Sequence, residues 1–526
     1  MVFLGVEFHV SHMCVNYTPT RNDILFITVE AKQIGICEKW YILPVISGVL
    51  LALTLPPFNI SLFVWVGFVP LLIFSRNPTL PMRRVFEGGL VTGILYAVAS
   101  VYPLSTVRAW WWFDVSGIVS ASKVIFLFWI LFFIVVCASI LFGLFVLAYR
   151  KWSRNNLIDA VVFAGLWTIF EYGRAVLFAG FTWGHIGYAL FNETYILQLA
   201  YFGGVYALGF FAVFVNVFIT FILNTGRYAQ LFFGRSFRDT LYDASCGICK
   251  NRYFYVLIAI IVAVNTYGYG VVHNKKIENK SSITVTVIQT GVETDEITRE
   301  GAYHVLDLMR KAADDNPDVV ILPENVFPFL FIDEETLLPK GYGLKDLGLG
   351  EFYDNLLLLS RDHKNISFVL GVHTVTDNRE YNSMISLENG KIVDIYNKRF
   401  LMPFSEGPLR WIPVGPVGTL ETGDKKNFSF GGIEATPLIC SEIIFPGLIE
   451  RGIATPIISI GNDSVFKSPL IAEENHIMAR VRAAEHRVYV VRAMKTGISS
   501  IINSYGKVVV QSKSTNEEMM TARIEY

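Results

Sequence analysis

Between Trp40 and Val271 the chain is a succession of apolar stretches that a water-soluble fold could not cover. A helix needs roughly 17 to 25 apolar residues to cross a bilayer. Seven stretches approach that length: residues 41–56, 58–75, 87–105, 119–148, 158–178, 196–223 and 253–271. The first is short and interrupted at Pro56-Pro57, so it reads as a partial span running into the second. None reads as a cleaved leader, because no small-residue cleavage site follows a short apolar core near the N-terminus. From Val272 onward Asp, Glu, Lys and Arg return at the frequency of a globular domain. A chain of 526 residues, 53% of them hydrophobic, therefore divides into an N-terminal extension over 1–39, a helical transmembrane domain of about seven spans over 40–271, and a globular domain over 272–526.

Basic residues give an orientation. Arg76, Arg83 and Arg84 lie in the second loop, Arg150, Lys151 and Arg154 in the fourth, and Arg227, Arg235, Arg238, Lys250 and Arg252 in the sixth, while the odd loops carry Arg108 alone. Positive charge stays on the cytoplasmic side, so a seventh span delivers the globular domain to the outer side, the periplasm or its equivalent. Net charge is −1, which gives no footprint for nucleic acid. Of six cysteines, Cys14 and Cys37 fall in the extension, Cys137 in a span, and Cys246 and Cys249 in a cytoplasmic loop. The last two form a CxxC in "SCGICK", but no second pair or nearby histidine completes four ligands, so it reads as ordinary loop and no metal is expected. Cys440 is left as the one thiol of the exported half, unable to form a disulfide within it and free to stay reactive.

In that half, short β-branched runs such as "ITVTVIQ", "VVILPE", "ISFVLGVH", "KIVDIYNK", "TPLIC" and "PIISIGN" alternate with amphipathic helical stretches over 295–313, 350–363 and 469–487. This pattern predicts an α/β domain with helices layered over sheets. Neither GxGxxG after a strand nor GxxxxGK[ST] occurs, so no nucleotide cofactor is expected. Three strand ends carry chemistry: Glu324 in "VVILPEN", Lys398 and Glu406 in "IVDIYNKRFLMPFSEGP", and Cys440 and Glu442 in "TPLICSE". A thiol nucleophile needs a base for its proton and a cation or donor for the oxyanion formed at a carbonyl, and these residue types supply both. A helix starting after Cys440 is expected to favour the thiolate through its N-terminal dipole. Taken singly, each residue has a plainer reading: Cys440 as a small core hydrophobe, Glu324 as a turn residue, and Lys398-Arg399 as a solvated pair.

Together, in this order and with these flanks, they resemble the nitrilase superfamily, whose Glu-Lys-Cys triad sits on an αββα sandwich. Four further stretches narrow the resemblance to the apolipoprotein N-acyltransferase family: "LPPFNISLFVWVGFVPLL", "FEYGRAVLFAGFTWGHIGYAL", "GGVYALGFFAVFVN" and "GNDSVFKSPLIAEENHIMARVRAAEHRVYVVRAMKTGIS". The similarity covers roughly residues 40 to 526. It implies Glu324 as general base, Lys398 as the oxyanion-holding lysine and Cys440 as nucleophile, with Glu406 and Glu442 as further essential glutamates. Asn462 and Arg482 fall in matching motifs with structural roles expected, and Glu171 and Arg174 match an E-x-x-R expected to pair on one helix face. The implied reaction moves an acyl chain from a phospholipid to the free amine of a lipoprotein's diacylglyceryl cysteine, through a thioester, in a bacterial inner-membrane protein expected to be monomeric. The run "RAWWWFD", Arg108 to Asp114, suits a lipid entry rim or an interfacial anchor. Departures from the family are Ser441 where a tyrosine is usual, "PFSEG" where "PFGEY" is usual, no tryptophan between Val272 and Glu300, and an end at "MMTARIEY", read as a strand, where a further span is usual.

Two other readings share part of this pattern: a membrane-tethered amidase or nitrilase acting on a small amide, and a catalytically silent nitrilase-like scaffold. The membrane-half matches count against the first and the intact Glu324, Lys398 and Cys440 against the second. The orientation has a direct test. A reporter that fluoresces only in the cytoplasm, fused after Tyr526, stays dark; a bright fusion reverses the topology.

Overall fold

The computed structural model describes residues 40–106, 117–178, 180–225, 251–274, 281–292, 299–327, 331–338, 349–377, 379–401, 406, 420–452, 454–466 and 468–526. The expectations for Cys14, Cys37, Cys246, Cys249 and the Arg108–Asp114 run fall outside these residues.

Among the described residues, five helices are long and apolar enough to cross a membrane: α3 (Met82–Val101), α4 (Gly117–Trp152), α5 (Leu157–Leu177), α6 (Ala200–Thr225) and α7 (Arg252–His273). The first two of the seven expected spans are corrected. They fold as two short helices, α1 (Ile42–Ala52) and α2 (Val69–Ser75), joined by irregular chain and a 3-10 turn at Ser61–Trp65. At 1.5 Å per residue α1 covers about 16 Å, roughly half of the hydrocarbon core. Proline is the reason: Pro56 and Pro57 cannot extend α1, whereas Pro70 sits in the first turn of α2, where its missing N–H costs nothing.

Irregular backbone in an apolar bundle must find partners within the protein. Asn216, buried on α6, provides them: its amide donates to Val64 O at 2.7 Å and its carbonyl accepts from Phe68 N at 2.9 Å. Phe68 in turn packs with Phe142 of α4 and Trp167 of α5, centroids 5.5 and 4.9 Å away.

The two ends of α5 have different surroundings. At its start, Asn156 and Asp159 form a capping box, Arg76 donates to Ser153 at 2.5 Å, and Arg150 donates to Ser75 O and Asn77 O. Two of the basic loops therefore meet there. At its other end begins the loop 178–190, which touches the sheet-bearing part of the chain: Thr182 donates to Ile444 O at 2.6 Å. A helix of 21 residues, about 31 Å long, separates these contacts.

After α7 the chain enters two sheets. The first runs β13-β1-β2-β4-β5-β6, with β3 (Phe331–Asp333) beside β4; its members are β1 (Ser282–Gln289), β2 (Val319–Ile321), β4 (Ser367–Thr376), β5 (Arg379–Glu388), β6 (Lys391–Asn397) and β13 (Glu518–Glu525). The second runs β12-β11-β10-β9-β8-β7, built from β7 (Phe428–Phe430), β8 (Ile433–Ile439), β9 (Ile457–Gly461), β10 (Val490–Met494), β11 (Ser500–Ile502) and β12 (Val508–Gln511). One dry cluster joins them, including Val285, Ile321, Val369 and Met384 from the first and Ile439, Ile458 and Val491 from the second. Helices α8 (Arg299–Asp314) and α9 (Leu349–Asp362) cover the outer face of the first sheet, their Leu306, Met309, Phe352 and Leu356 packed on Val320, Phe368 and Leu370. Helix α10 (Pro469–His486) packs on the second sheet and on α6. The layers are therefore αββα, carried on a membrane helical region.

Contact with α6 is close where that helix breaks at Gly203 and Gly204. Gly204 has φ +61°, and a Cβ there would collide with the Glu485 carboxylate of α10, so only glycine fits. Replacing Asn216 by Leu strands two buried main-chain groups and is expected to cost about 3 kcal/mol. Thermal unfolding in detergent shows this as a lower Tm, while Asn265→Leu, whose amide bonds only within its own helix, changes it little.

Candidate active site

In layered α/β folds, ligands collect where the parallel strands end, and the candidate residues lie at such strand ends. Lys398 directly follows β6, Cys440 directly follows β8, and Glu324 lies three residues beyond β2. Strand β4 beside β2 approaches closely through Gly371, where a Cβ would come within 2.5 Å of Glu324 Cα and Pro323 O. Glycine here lets the neighbouring strand run against the backbone that carries the carboxylate.

Lys398 is fully buried and its ammonium has two carboxylate neighbours. Nζ lies 2.7 and 2.8 Å from the Glu406 oxygens and 3.6 Å from Glu324 Oε1. Burial by itself lowers a lysine, but the charges of Glu406 and then Glu324 outweigh it and hold Lys398 well above its ordinary value. It is an ammonium throughout the physiological range.

Asn382 of β5, which the sequence reading passed over, ties the carboxylates together. Its amide nitrogen donates to Glu324 Oε1 and to Glu406 Oε1, each at 2.7 Å, and its carbonyl oxygen on the main chain accepts from Lys398 N at 2.8 Å. A signal for it exists: β5 alternates, and Asn382 shares its face with Met384, which lies in the core between the sheets. A polar residue in the apolar phase of a strand needs partners, and these are they.

Cys440 is half-buried, its backbone at φ +53°. A non-glycine residue in the left-handed region costs about 1 to 3 kcal/mol and persists only where its surroundings hold it. Burial, and next the Glu324 charge, push the thiol well above its ordinary value, with Lys398 pulling it back. The expected helix dipole is corrected: a five-residue 3-10 turn, Cys440–Ile444, follows the thiol and not an α-helix. The resting sulfur is a neutral thiol.

Glu442, fully buried, is a clamp. It accepts from Ile439 N and Arg399 N at 2.8 Å, from Phe400 N at 3.0 Å and from the Tyr396 hydroxyl. Those donors flank Cys440 on one side and Lys398 on the other, so one carboxylate sets the spacing of two strand ends from different sheets. Burial raises its carboxyl, against the pull of the backbone donors at Ile439, Arg399 and Phe400. Of the remaining expected residues, Asn462 accepts from Ser464 N as a turn cap, and Arg482 is buried on α10. Glu171 and Arg174 do not pair with each other. Glu171 accepts from Ile186 N at 2.8 Å and Arg174 donates to Trp183 O at 2.9 Å, so both hold the loop beyond α5.

Such a set can take a proton from a thiol, hold an oxyanion and support covalent acyl chemistry. Glu442→Gln places an amide donor against backbone donors. It is expected to cost on the order of 2 to 3 kcal/mol, read as a fall in denaturation midpoint with the fold retained.

Comparison with known proteins identifies the family. The profile of the apolipoprotein N-acyltransferase N-terminal domain matches residues 47–218, and that of the carbon-nitrogen hydrolase domain matches residues 284–526. An apolipoprotein N-acyltransferase of Geobacter metallireducens is 27% identical over 505 residues, covering 90% of this chain and 87% of that one. One of Haemophilus influenzae is 25% identical over 508 residues, covering 92% and 88%. With five helices fit to cross a membrane and an αββα sandwich beside them, the chain is a multi-pass membrane acyltransferase that belongs to the apolipoprotein N-acyltransferase family of the nitrilase superfamily.

Proposed function

We propose that this protein moves an acyl chain from a phospholipid to the α-amino group of the N-terminal diacylglyceryl cysteine of apolipoproteins, by way of a thioester on Cys440. The observation that carries this reading is the meeting of Glu324, Lys398, Glu406 and Cys440 at the joined strand ends, with the turn after Cys440 in contact with the loop that leaves a membrane helix. In this reading residues 40–271 serve as the membrane domain and 272–526 as the catalytic domain, with 1–39 as an extension.

Glu324 takes the thiol proton as Cys440 Sγ attacks the donor's ester carbonyl. Lys398 stabilises the oxyanion, already charged and desolvated before substrate arrives, so little reorganisation is needed. Collapse breaks the ester C–O bond, and the proton on Glu324 passes to the departing lysophospholipid alkoxide. The acceptor amine then attacks the thioester carbonyl, Glu324 takes the amine proton, the C–S bond breaks, and the sulfur recovers a proton as thiol. Glu406 and Asn382 orient Lys398 and Glu324 rather than exchange protons. No cofactor enters, and one chain supplies every group, so a monomer suffices.

Both substrates are bilayer-anchored amphiphiles, which accounts for fastening this chemistry to a helical bundle. Orientation follows from the ends of α5: the basic residues Arg76 and Arg150 cluster at one end, and the contact with the sheet-bearing part lies about 31 Å away at the other. Positive-inside placement then puts the catalytic side outward from a bacterial inner membrane. Replacing the first two expected spans by short helices keeps an odd number of crossings and the same outcome.

The test is an acyl-enzyme assay on full-length protein in mixed phospholipid micelles. Wild type accumulates an adduct that hydroxylamine cleaves at neutral pH, and Cys440→Ala accumulates none. Glu324→Gln lowers adduct formation by about 10² to 10⁴, the usual worth of a general base. Glu406→Gln retains measurable adduct and slows transfer to an N-terminal diacylglyceryl-cysteine peptide. An adduct that persists on Cys440→Ala, or free fatty acid as the sole product in the presence of that peptide, overturns the reading.

A further inference from the structure

Cys440 holds a left-handed backbone, and the groups that enforce it come from two directions. Glu442 fixes the near side, as described above. On the far side the last two carbonyls of the 3-10 turn, Ile443 O and Ile444 O, are held by Arg482 and Thr182. Thr182 is fully buried and belongs to the loop beyond α5.

The hydrogen bonds there run in one direction. Arg482 Nη2 donates to the Tyr188 hydroxyl at 2.6 Å. Thr182 Oγ1 lies 2.7 Å from that hydroxyl and 2.6 Å from Ile444 O. A carbonyl can only accept, so the single Thr182 proton goes to Ile444 O, and the Tyr188 proton must then go to Thr182. The order Arg482, Tyr188, Thr182, Ile444 is thus a donor chain from a buried guanidinium to the turn that begins at the nucleophile. Each bond in such a chain polarises the next. The loop that carries Thr182 and Tyr188 is itself fastened to α5 by Glu171 and Arg174, and Phe181 lies against Phe445, which stacks on Phe400 two residues beyond Lys398.

We propose that Thr182 is a positioning residue for Cys440: its hydroxyl fastens the nucleophile's turn to the membrane bundle, so that the bundle holds the thiol in its reactive geometry. Thr182 touches neither substrate nor sulfur, and its effect passes through Ile444. This rests on the thioester reading of Cys440. Loss of the hydroxyl leaves Ile444 O and the Tyr188 proton without a partner, frees the turn, and lets the thiol relax away from Glu324 toward solvent.

The experiment compares full-length wild type, Thr182→Val and Thr182→Ser in the same phospholipid micelles, on protein that elutes as one folded species. Acylation is followed with a fluorescent phospholipid over a range of concentrations, and alkylation of Cys440 by iodoacetamide is followed by mass spectrometry of its peptide. Thr182→Val is expected to lower the maximal acylation rate about tenfold, the worth of one buried hydrogen bond, with the half-saturating donor concentration unchanged. The same variant is expected to alkylate faster at Cys440, because the thiol is less enclosed. Thr182→Ser, which keeps the hydroxyl, restores both. The proposal is overturned if Thr182→Val acylates within twofold of wild type, if only half-saturation moves, or if Thr182→Ser is as impaired as Thr182→Val. Should wild type form no adduct, the thioester reading fails, and alkylation alone decides the positioning role: equal rates for wild type and Thr182→Val reject it.

Discussion

A lysine ammonium with no exposed surface is the constraint around which the site is arranged. An unpaired buried charge costs several kcal/mol and ordinarily neutralises itself. Lys398 stays charged because Glu406 and Glu324 surround it, and those carboxylates stay in place because Asn382 donates to both. Removing any one of the four leaves the others buried without full compensation. The arrangement is accordingly a unit, and in the proposed reaction it offers an oxyanion a cation that needs no rearrangement.

The Cys440 thiol, the nucleophile of the proposed reaction, sits on a strained backbone and has a raised pKa, not a low one. Cys440 sits in a left-handed conformation, its thiol pushed up by burial and by Glu324. Such a thiol reacts slowly by itself, and in the proposed reaction the substrate carbonyl and Glu324 act on it together. Glu442 is the part that joins this elbow to the lysine, since its oxygens reach Ile439 in one sheet and Arg399 and Phe400 beyond the other.

The membrane half contributes more than an anchor. Its polar residues are used where backbone leaves the helical pattern: Asn216 on the irregular chain between α1 and α2, Glu171 and Arg174 on the loop after α5. In each case a side chain satisfies main-chain groups that water would otherwise serve, Asn216 and Glu171 being buried. The loop so held is the one that meets the turn at Cys440, so bundle and sandwich share an interface of hydrogen bonds, and Gly204 leaves room there for the Glu485 carboxylate.

Much of this was legible in the chain itself. Long apolar runs report five helices, because a bilayer demands length, and β-branched alternation reports the strands, because a sheet buries every second residue. Glu324, Lys398 and Cys440 were visible as residue types at strand ends. The first two spans misled because apolar composition persists through Pro56-Pro57 and Pro70, while the helix does not. Glu171 and Arg174 have the spacing of an ion pair, yet main-chain groups of their own loop compete and win. Asn382 bridging two carboxylates, Glu442 spanning two sheets, and Thr182 bonded to a carbonyl 262 positions away belong to the tertiary structure alone. Periodicity and local spacing record which face of an element is buried; which buried groups then meet is decided only when the elements pack.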